Sequence, residues 1–524
     1  MLTGMATQTA SSRPLSDAVI ARITALVNSS GATTVINAPF TGEPLATVPL
    51  SAAGDVTQAY AKARAAQRAW ARLSPAERAQ PVLRFVDAFI ARRDEILDIL
   101  QWETGKARRH AFEEFLDVTL GPLYYARRAA KLLAPRRRQG AFPLAVKTYE
   151  FRQPKGVIGM ITPWNYPISM GVGDTIPALL AGNAVVHKPD TQTALSVLWC
   201  VDLMIECGLP RDLWQVVVGE PGEIGDELIA NADYIAFTGS TRAGRLIAEK
   251  AAPRLIGYSL ELGGKNPMVV LEDADLDKAA RGAVRACFSN AGQLCISIER
   301  LLVHEKVYDA FLEKFAAATK AMKLGSSLDF EPQMGSLTYP RQLEAVTAHV
   351  EQAVKAGATV VAGGRARPDL GPLFYEPTIL TEVTTEMDLC ANETFGPVVS
   401  VYRFATEEEA IERANDTHYG LNASVWTRDL ARGRRVGSRI QAGTVNVNEG
   451  YGAAMASHDA PMGGMKQSGV GRRHGAEGLL KYTEAQTLAT SRFMELDAPP
   501  GVPYAKYADL LTSSIRTLKR LRLK

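Results

Sequence analysis

Short apolar runs alternating with helix-period segments predict an α/β protein built on buried, mostly parallel sheets. From Lys155 onward, runs 157–161, 184–187, 216–218 and 234–237 each end in glycine, proline or a polar cluster. Between them, segments 194–207 and 223–230 repeat apolar residues at helical spacing. That alternation reads as βαβ units whose strands are covered on both faces. A second series begins at Pro267-Met268-Val269-Val270 and includes 444–447. Ligands of such sheets sit at the carboxyl ends of the strands.

The part before Lys155 reads as helical. Val56, Tyr60, Ala63, Ala66 and Trp70 recur at spacings of three and four, placing a helix over 55–73. Ser74-Pro75-Ala76-Glu77 restarts it, with Ser as N-cap, Pro at the first position and Glu closing a capping box. Leu83, Val86, Phe89, Ile90, Leu97 and Leu100 extend its apolar face. Pro135-Arg136-Arg137-Arg138-Gln139-Gly140 reads as a break, a solvated linker before an anion site.

Composition bounds the function. The 524 residues are 46% hydrophobic and 22% charged, which excludes disordered, collagenous and coiled-coil classes. Fifty-nine basic and 56 acidic residues leave a net charge of +3, so no nucleic-acid partner is implied. The first residues, MLTGMATQTASSRPLSD, lack an apolar core, and the uncharged stretch 156–173 is interrupted by Pro163, Asn165 and Pro167. Neither a secretion signal nor a membrane helix is expected, and the chain reads as cytoplasmic. Five cysteines are too few, and odd in number, for a disulfide framework, which fits a reducing compartment. With no Cys-x-x-Cys and no helical His pair, no metal site is expected.

Several segments carry chemistry. In Phe237-Thr238-Gly239-Ser240-Thr241-Arg242-Ala243-Gly244, a strand ends and a helix begins between two glycines. This suits an ordinary turn or a phosphate at a helix N-terminus, although it is neither G-x-G-x-x-G nor a P-loop. Cys295, in Ala291-Gly292-Gln293-Leu294-Cys295-Ile296, is a candidate nucleophile without an obvious His partner, whereas Cys200, Cys207, Cys287 and Cys390 read as buried hydrophobes. Glu261, in Leu260-Glu261-Leu262-Gly263-Gly264-Lys265, and Glu393, in Asn392-Glu393-Thr394-Phe395-Gly396-Pro397, are acids among apolar neighbours. Such a setting disfavours the ionised form and suits a base near neutral pH, or else the acid caps a turn.

Thr162-Pro163-Trp164-Asn165-Tyr166-Pro167, His187-Lys188-Pro189, Phe237-Thr238-Gly239-Ser240, Glu261-Leu262-Gly263-Gly264-Lys265, Gly292-Gln293-Leu294-Cys295 and Glu393-Thr394-Phe395-Gly396-Pro397 occur in one order along the chain. That series resembles the aldehyde dehydrogenase superfamily over roughly residues 40 to 490. Within it the chain is most similar to actinobacterial NADP-dependent succinate-semialdehyde dehydrogenases, through segments 287–300 and 461–469. The resemblance implies an aldehyde-dehydrogenase-like fold: a Rossmann-type dinucleotide-binding domain (16–138 and 157–265), an α/β catalytic domain (266–479) and an oligomerisation β-arm (139–156 and 480–500). Parts of that arm are expected at 141–151 and 482–489. A homodimer or homotetramer is implied.

The same resemblance assigns roles. Cys295 matches the nucleophile, Glu261 the base that activates water, and Asn165, with the Cys295 N–H, the oxyanion hole. Trp164 and Lys188 match contacts on the adenosine side, Gly219 and Gly225 adenine-side glycines, and Gly239 and Ser240 the pyrophosphate turn. Leu262, Glu393 and Phe395 match the nicotinamide end. Thr191 stands where NAD-preferring members often carry Glu, which favours NADP, while Asp190 beside it keeps NAD open.

The implied reaction is NAD(P)-dependent oxidation of an aldehyde through a cysteine thiohemiacetal and thioester. Succinate semialdehyde is the expected substrate and a less polar aliphatic or aromatic aldehyde the alternative. Two arginines expected to hold a distal carboxylate are replaced by Gly173 and Ser289, leaving Ser297, His458 and Arg300 as substitutes, with Arg300 better read as a structural ion pair. Release of the acyl group to CoA is disfavoured by Glu261, and a non-catalytic scaffold by the intact Cys295, Glu261 and Asn165.

The tail 501–524 carries six basic side chains against Asp509 alone, on an amphipathic pattern formed by Leu510, Leu511, Ile515, Leu518 and Leu521. Packing on a neighbouring subunit, or fraying, is preferred there over contact with an anionic membrane.

Overall fold

The computed structural model describes residues 14–139, 146–492 and 497–522. They divide into two compact units, one holding residues up to 132 and 154–483, the other 133–153 and 484 onward.

The larger unit contains the two expected sheets. The first runs in the order Gly469–Val470, Gly257–Glu261, Tyr234–Thr238, Val157–Ile161, Ala184–Lys188, Trp214–Val216, parallel except for its Gly469–Val470 edge. Its strands are short, apolar and buried because helices such as Pro167–Leu180, Ala194–Glu206 and Pro221–Asn231 cross between them. Strand order reverses at Val157–Ile161, whose neighbours are Ala184–Lys188 and Tyr234–Thr238. The loops after Ile161 and Thr238 therefore open into one crevice.

The second sheet runs Thr359–Ala362, Thr378–Thr381, Val398–Phe404, Ile298–His304, Asn266–Val270, Asn422–Trp426, Thr444–Val447, with only the first strand antiparallel. Glu261 ends a strand of the first sheet, and Asn266 opens a strand of the second. Segment 262–265 thus joins the sheets.

The N-terminal helices form where the sequence places them, with local differences. The first spans Ala53–Trp70. The Ser74 capping box is present, with the Ser74 N–H donating to Glu77 at 2.7 Å and the Glu77 N–H to Ser74 Oγ at 3.3 Å. The helix expected to run on through Leu100 instead stops at Ala91, and Arg93–Thr104 starts a new one. Arg92 at φ −106°, ψ 29° breaks the helical path. The run expected at 216–218 pairs as Trp214–Val216, since parallel bonding to Val185–His187 fixes the register two residues earlier.

In the smaller unit, Arg136–Arg138 is a short strand rather than a break. It pairs antiparallel with Val146–Pro154, and Arg138 donates to Glu150 at 2.7 Å, so the triplet finds its anion within the chain. Val146–Pro154 also pairs with Thr483–Ser491, an exposed edge strand. Of the arm segment expected at 141–151, residues 141–145 lie outside the described residues. The tail forms helix Tyr504–Arg520, without a buried residue. Among the described residues, no helix is long and apolar enough to cross a membrane.

Candidate active site

A cleft of about 270 Å³ opens where the two sheets' loops converge. Nine of the thirteen residues singled out by sequence line it: Trp164, Asn165, Gly239, Ser240, Glu261, Leu262, Cys295, Glu393 and Phe395. Lys188, Thr191, Gly219 and Gly225 do not. Lys188 ends strand Ala184–Lys188, Thr191 opens a single helical turn, Gly219 packs against Ile224 and Ser51, and Gly225 sits on helix Pro221–Asn231 facing open space.

Asn165 is set by a buried brace. Glu114 accepts the Ile168 and Ser169 N–H groups at 3.1 and 3.3 Å, satisfying the start of helix Pro167–Leu180. Lys106 pairs with Glu114 and donates to the Asn165 carbonyl at 2.7 Å. The Asn165 side-chain amide donates to Gln293 O at 2.9 Å, two residues before the thiol.

Cys295 follows a strained turn. Asn290 and Ala291 hold φ of 51° and 54°, and Gly292 follows at 70°. A Cβ on Gly292 would fall 2.0 Å from Gly396 O, so only glycine lets the thiol's loop lie against the loop of Glu393 and Phe395. The Cys295 thiol is pushed up to about 12 by burial and by the nearby Glu393 and Glu261 carboxyls. It rests protonated and needs a base.

Glu261 lines the same cleft as the thiol. It is buried, its Oε1 has no hydrogen-bond partner among the described residues, and burial pushes its carboxyl up to about 8. Glu393 is likewise pushed to about 8, chiefly by burial, and accepts the Gly264 N–H at 2.9 Å. A Cβ on Gly263 would lie 2.3 Å from its Oε2, which is why glycines stand there. Behind it, Glu299 accepts from Lys265 Nζ at 2.5 Å and from the Thr394 and Phe395 N–H groups at 2.9–3.1 Å. This fixes Phe395, at φ 52°, edge-on to Trp164 with centroids 5.5 Å apart.

The nucleotide side fits a dinucleotide. Ser240 caps helix Thr241–Ala251, presenting free helix N–H groups beside the cleft. Lys188 Nζ is buried and donates to Pro189 O at 3.4 Å, and burial lowers its pKa against the opposing pull of Asp190 and Glu220. Asp190 is occupied by the Tyr339 hydroxyl and, at 3.1 Å, by the Gln192 N–H.

The proposed carboxylate substitutes are not in the cleft. Ser297 donates to the Ala286 and Cys287 carbonyls at 3.1 Å. Arg300 forms no ion pair among the described residues; it donates to the carbonyls of Lys265, Arg413 and Ala414 at 2.8–2.9 Å, a strand-end brace rather than the expected pair. His458 stands behind Asp117 at 3.0 Å. The cleft instead contains Asp117 and Arg473, which the sequence reading passed over, with an apolar wall of Met170, Leu294, Ile296, Met455 and Met462. No local pattern marks Arg473: it is one of two adjacent arginines in a glycine-rich loop.

A thiol beside an amide donor and an unpartnered carboxyl, on a reversed parallel sheet with a helix N-terminus at its lip, defines an α/β oxidoreductase working through a cysteine. Residues 26–488 match the family described as "Aldehyde dehydrogenase family". The chain belongs to the aldehyde dehydrogenase family. It is 55% identical over 482 residues (92% of this chain, 93% of the relative) to a Mycolicibacterium smegmatis protein provisionally named succinate-semialdehyde dehydrogenase, NADP(+). It is 37% identical, over 86% of this chain and 84% of the relative, to the mitochondrial succinate-semialdehyde dehydrogenase of Arabidopsis thaliana. Betaine aldehyde dehydrogenase from Staphylococcus aureus, solved with NAD+, superposes with a TM-score of 0.85 at 32% identity, over 90% of this chain and 94% of that one.

Proposed function

We propose that this chain oxidises succinate semialdehyde to succinate with NADP. The observation that carries the chemistry is the joint placement of Cys295, Asn165 and Glu261 in one cleft, with Glu261 unpartnered and titrating near 8.

Glu261 takes the thiol proton, directly or through water, and the Cys295 sulfur attacks the aldehyde carbon to form a thiohemiacetal. The second N–H of the Asn165 amide and the Cys295 backbone N–H stabilise the developing oxyanion, preorganised by the Lys106–Glu114 brace. A nucleotide held with its reactive end at Glu393, Phe395 and Leu262 would supply the hydride acceptor, and loss of hydride from the thiohemiacetal carbon leaves an acyl thioester on Cys295. Glu261 gives up the thiol proton to solvent and then deprotonates a water that attacks the thioester carbon. The adduct expels the Cys295 thiolate, which takes the proton back from Glu261, and the acid leaves as its carboxylate. Burial favours this role, because a carboxyl titrating near 8 is a stronger base than an ordinary one.

Lys188, Ser240, Gly239 and Trp164 would hold the nucleotide, and Glu393, Phe395 and Leu262 its reactive end. Lys188 favours the 2′-phosphate of NADP, while Asp190, which accepts from Tyr339, is a nearby negative charge that weighs towards NAD. The relatives' names point to NADP for one mycobacterial protein, while the Staphylococcus aureus enzyme was solved with NAD+. Residues 16–138 and 157–265 would form the dinucleotide-binding domain and 266–479 the catalytic domain. The exposed edge strand Thr483–Ser491 would build a homodimer or homotetramer by pairing with a second copy.

A less polar alkanal or aromatic aldehyde is the second reading, favoured by the methionine, leucine and isoleucine wall. Steady-state kcat/KM with succinate semialdehyde, butanal and benzaldehyde, each with NADP and NAD, separates the two. Cys295→Ser is expected to lose aldehyde oxidation with every substrate, and retention of full turnover would overturn the nucleophile assignment.

A further inference from the structure

Resting on the aldehyde dehydrogenase reading above, we propose that Arg473 sets the substrate class, receiving the distal carboxylate of a short ω-oxo carboxylic acid.

The argument starts from space. Gly173 lies on helix Pro167–Leu180, which lines the cleft through Ser169 and Met170. A Cβ built on Gly173 would sit 3.4 Å from Arg473 Nη2 and 3.8 Å from Asp117 Oδ2. The guanidinium therefore occupies the room that a side chain at 173 would take. It arrives from another part of the chain, where Met462 and Arg473 bridge antiparallel and fold their loop back onto this helix. Ser289, the other position where an arginine was expected, is committed elsewhere. Its hydroxyl donates to Arg285 O at 2.8 Å and accepts from Tyr451 at 2.8 Å.

The guanidinium is held but not used up. Nη2 donates to Ser169 O at 3.1 Å, and Nη1 meets the Met170 sulfur at 3.3 Å. Nε lies 3.3 Å from Asp174 yet makes no hydrogen bond, although it is buried. A guanidinium carries five N–H donors, so unspent donors remain on a planar fork that matches a carboxylate. Asp117 and Asp174 keep the cation in place electrostatically, and His458 holds Asp117 from behind at 3.0 Å. Arg473 lines the same cleft as Cys295 and Glu261. Elsewhere the cleft wall is apolar, which suits the methylenes between an aldehyde and its far carboxylate.

Asp117 faces the same cleft and offers the opposite choice, an ω-ammonium aldehyde. Arg473 is favoured because Asp117 already has His458 as its hydrogen-bond partner, whereas the Nε of Arg473, though paired in charge with Asp174, makes no hydrogen bond.

The test uses the full-length enzyme with NADP and three probes: succinate semialdehyde, butanal and betaine aldehyde. In the wild type, kcat/KM for the oxo acid is expected to exceed both others by about 10-fold or more. Arg473→Gln should raise KM for the oxo acid by about 10- to 100-fold, the scale of a charge-assisted contact, so that kcat/KM for the oxo acid falls about 10-fold or more beyond any fall for butanal. Arg473→Lys should recover part of that KM, keeping the charge without the fork. A purely structural arginine would move all three substrates together.

Should the glutamine variant fail to fold, Gly173→Val crowds Nη2 and is expected to raise KM for the oxo acid selectively. A folded glutamine or valine variant that keeps the full preference for the oxo acid overturns the role of Arg473 and leaves the substrate reading standing. Wild-type preference for butanal overturns the substrate reading itself. Preference for betaine aldehyde makes Asp117 the selecting residue and overturns the proposal.

Discussion

Glu299 and Glu261 are both carboxylates withdrawn from water, one on strand Ile298–His304 and the other ending strand Gly257–Glu261. Around Glu299 every lone pair is answered: Lys265 supplies a charge at 2.5 Å, and the Thr394 and Phe395 amides supply donors. Around Glu261 one oxygen has no partner among the described residues, and burial drives its carboxyl up to about 8. One carboxylate shapes the cleft and the other is left able to act. Burial alone thus says little about a titratable group, and the donor inventory separates frame from reagent.

The largest expected effect breaks that comparison on the reactive side. Glu261→Gln removes the base while keeping the shape, so turnover should fall by about 10²- to 10⁴-fold, with stability within about 1 kcal/mol of the parent. Stopped-flow measurement of the first reduced-nucleotide burst against steady-state turnover checks this, since loss of deacylation should spare part of the burst. On the frame side, Glu299→Ala leaves Lys265 buried and unpaired and should cost about 3–5 kcal/mol in urea unfolding. A loss there below about 1 kcal/mol would mean the network does not carry the loop.

The smallest effect is in pH. With its carboxyl near 8, Glu261 is mostly protonated at neutrality, so kcat should climb from pH 6 to pH 9 and bend near 8. Glu393 titrates in the same range, so the bend must vanish in Glu261→Gln to belong to Glu261. The sign for stability runs the other way. A carboxyl raised in the fold contributes its stability fully below the unfolded value near 4.5, and that contribution is lost as pH rises through 8. Glu261→Gln should therefore flatten part of the decline in stability between those limits.

The sequence made the reactive side more legible than the frame. Cys295, Glu261 and Asn165 sit in ordered motifs, and the apolar runs located most strands of the first sheet to within two residues. Strand Trp214–Val216 was displaced because its register comes from pairing with Val185–His187, not from its own apolar content. The break expected at 135–140 became a strand because Glu150, twelve residues beyond Arg138, supplies the pairing charge. Arg473 was invisible for a similar reason: its place depends on a loop folding back to a glycine 300 residues earlier, a fact about space and not about local pattern. Arg300 shows the converse, a conspicuous charge whose donors are spent on backbone carbonyls.

The clash at Gly292 has a mechanical consequence. With Gly396 O 2.0 Å from where a methyl would lie, the segment bearing the sulfur and the segment bearing Glu393 and Phe395 mesh like two gear teeth. A side chain at 292 would have to push the two apart. Gly292→Ala is therefore expected to misplace the sulfur and Phe395 together, a single methyl dislodging both halves of the cleft.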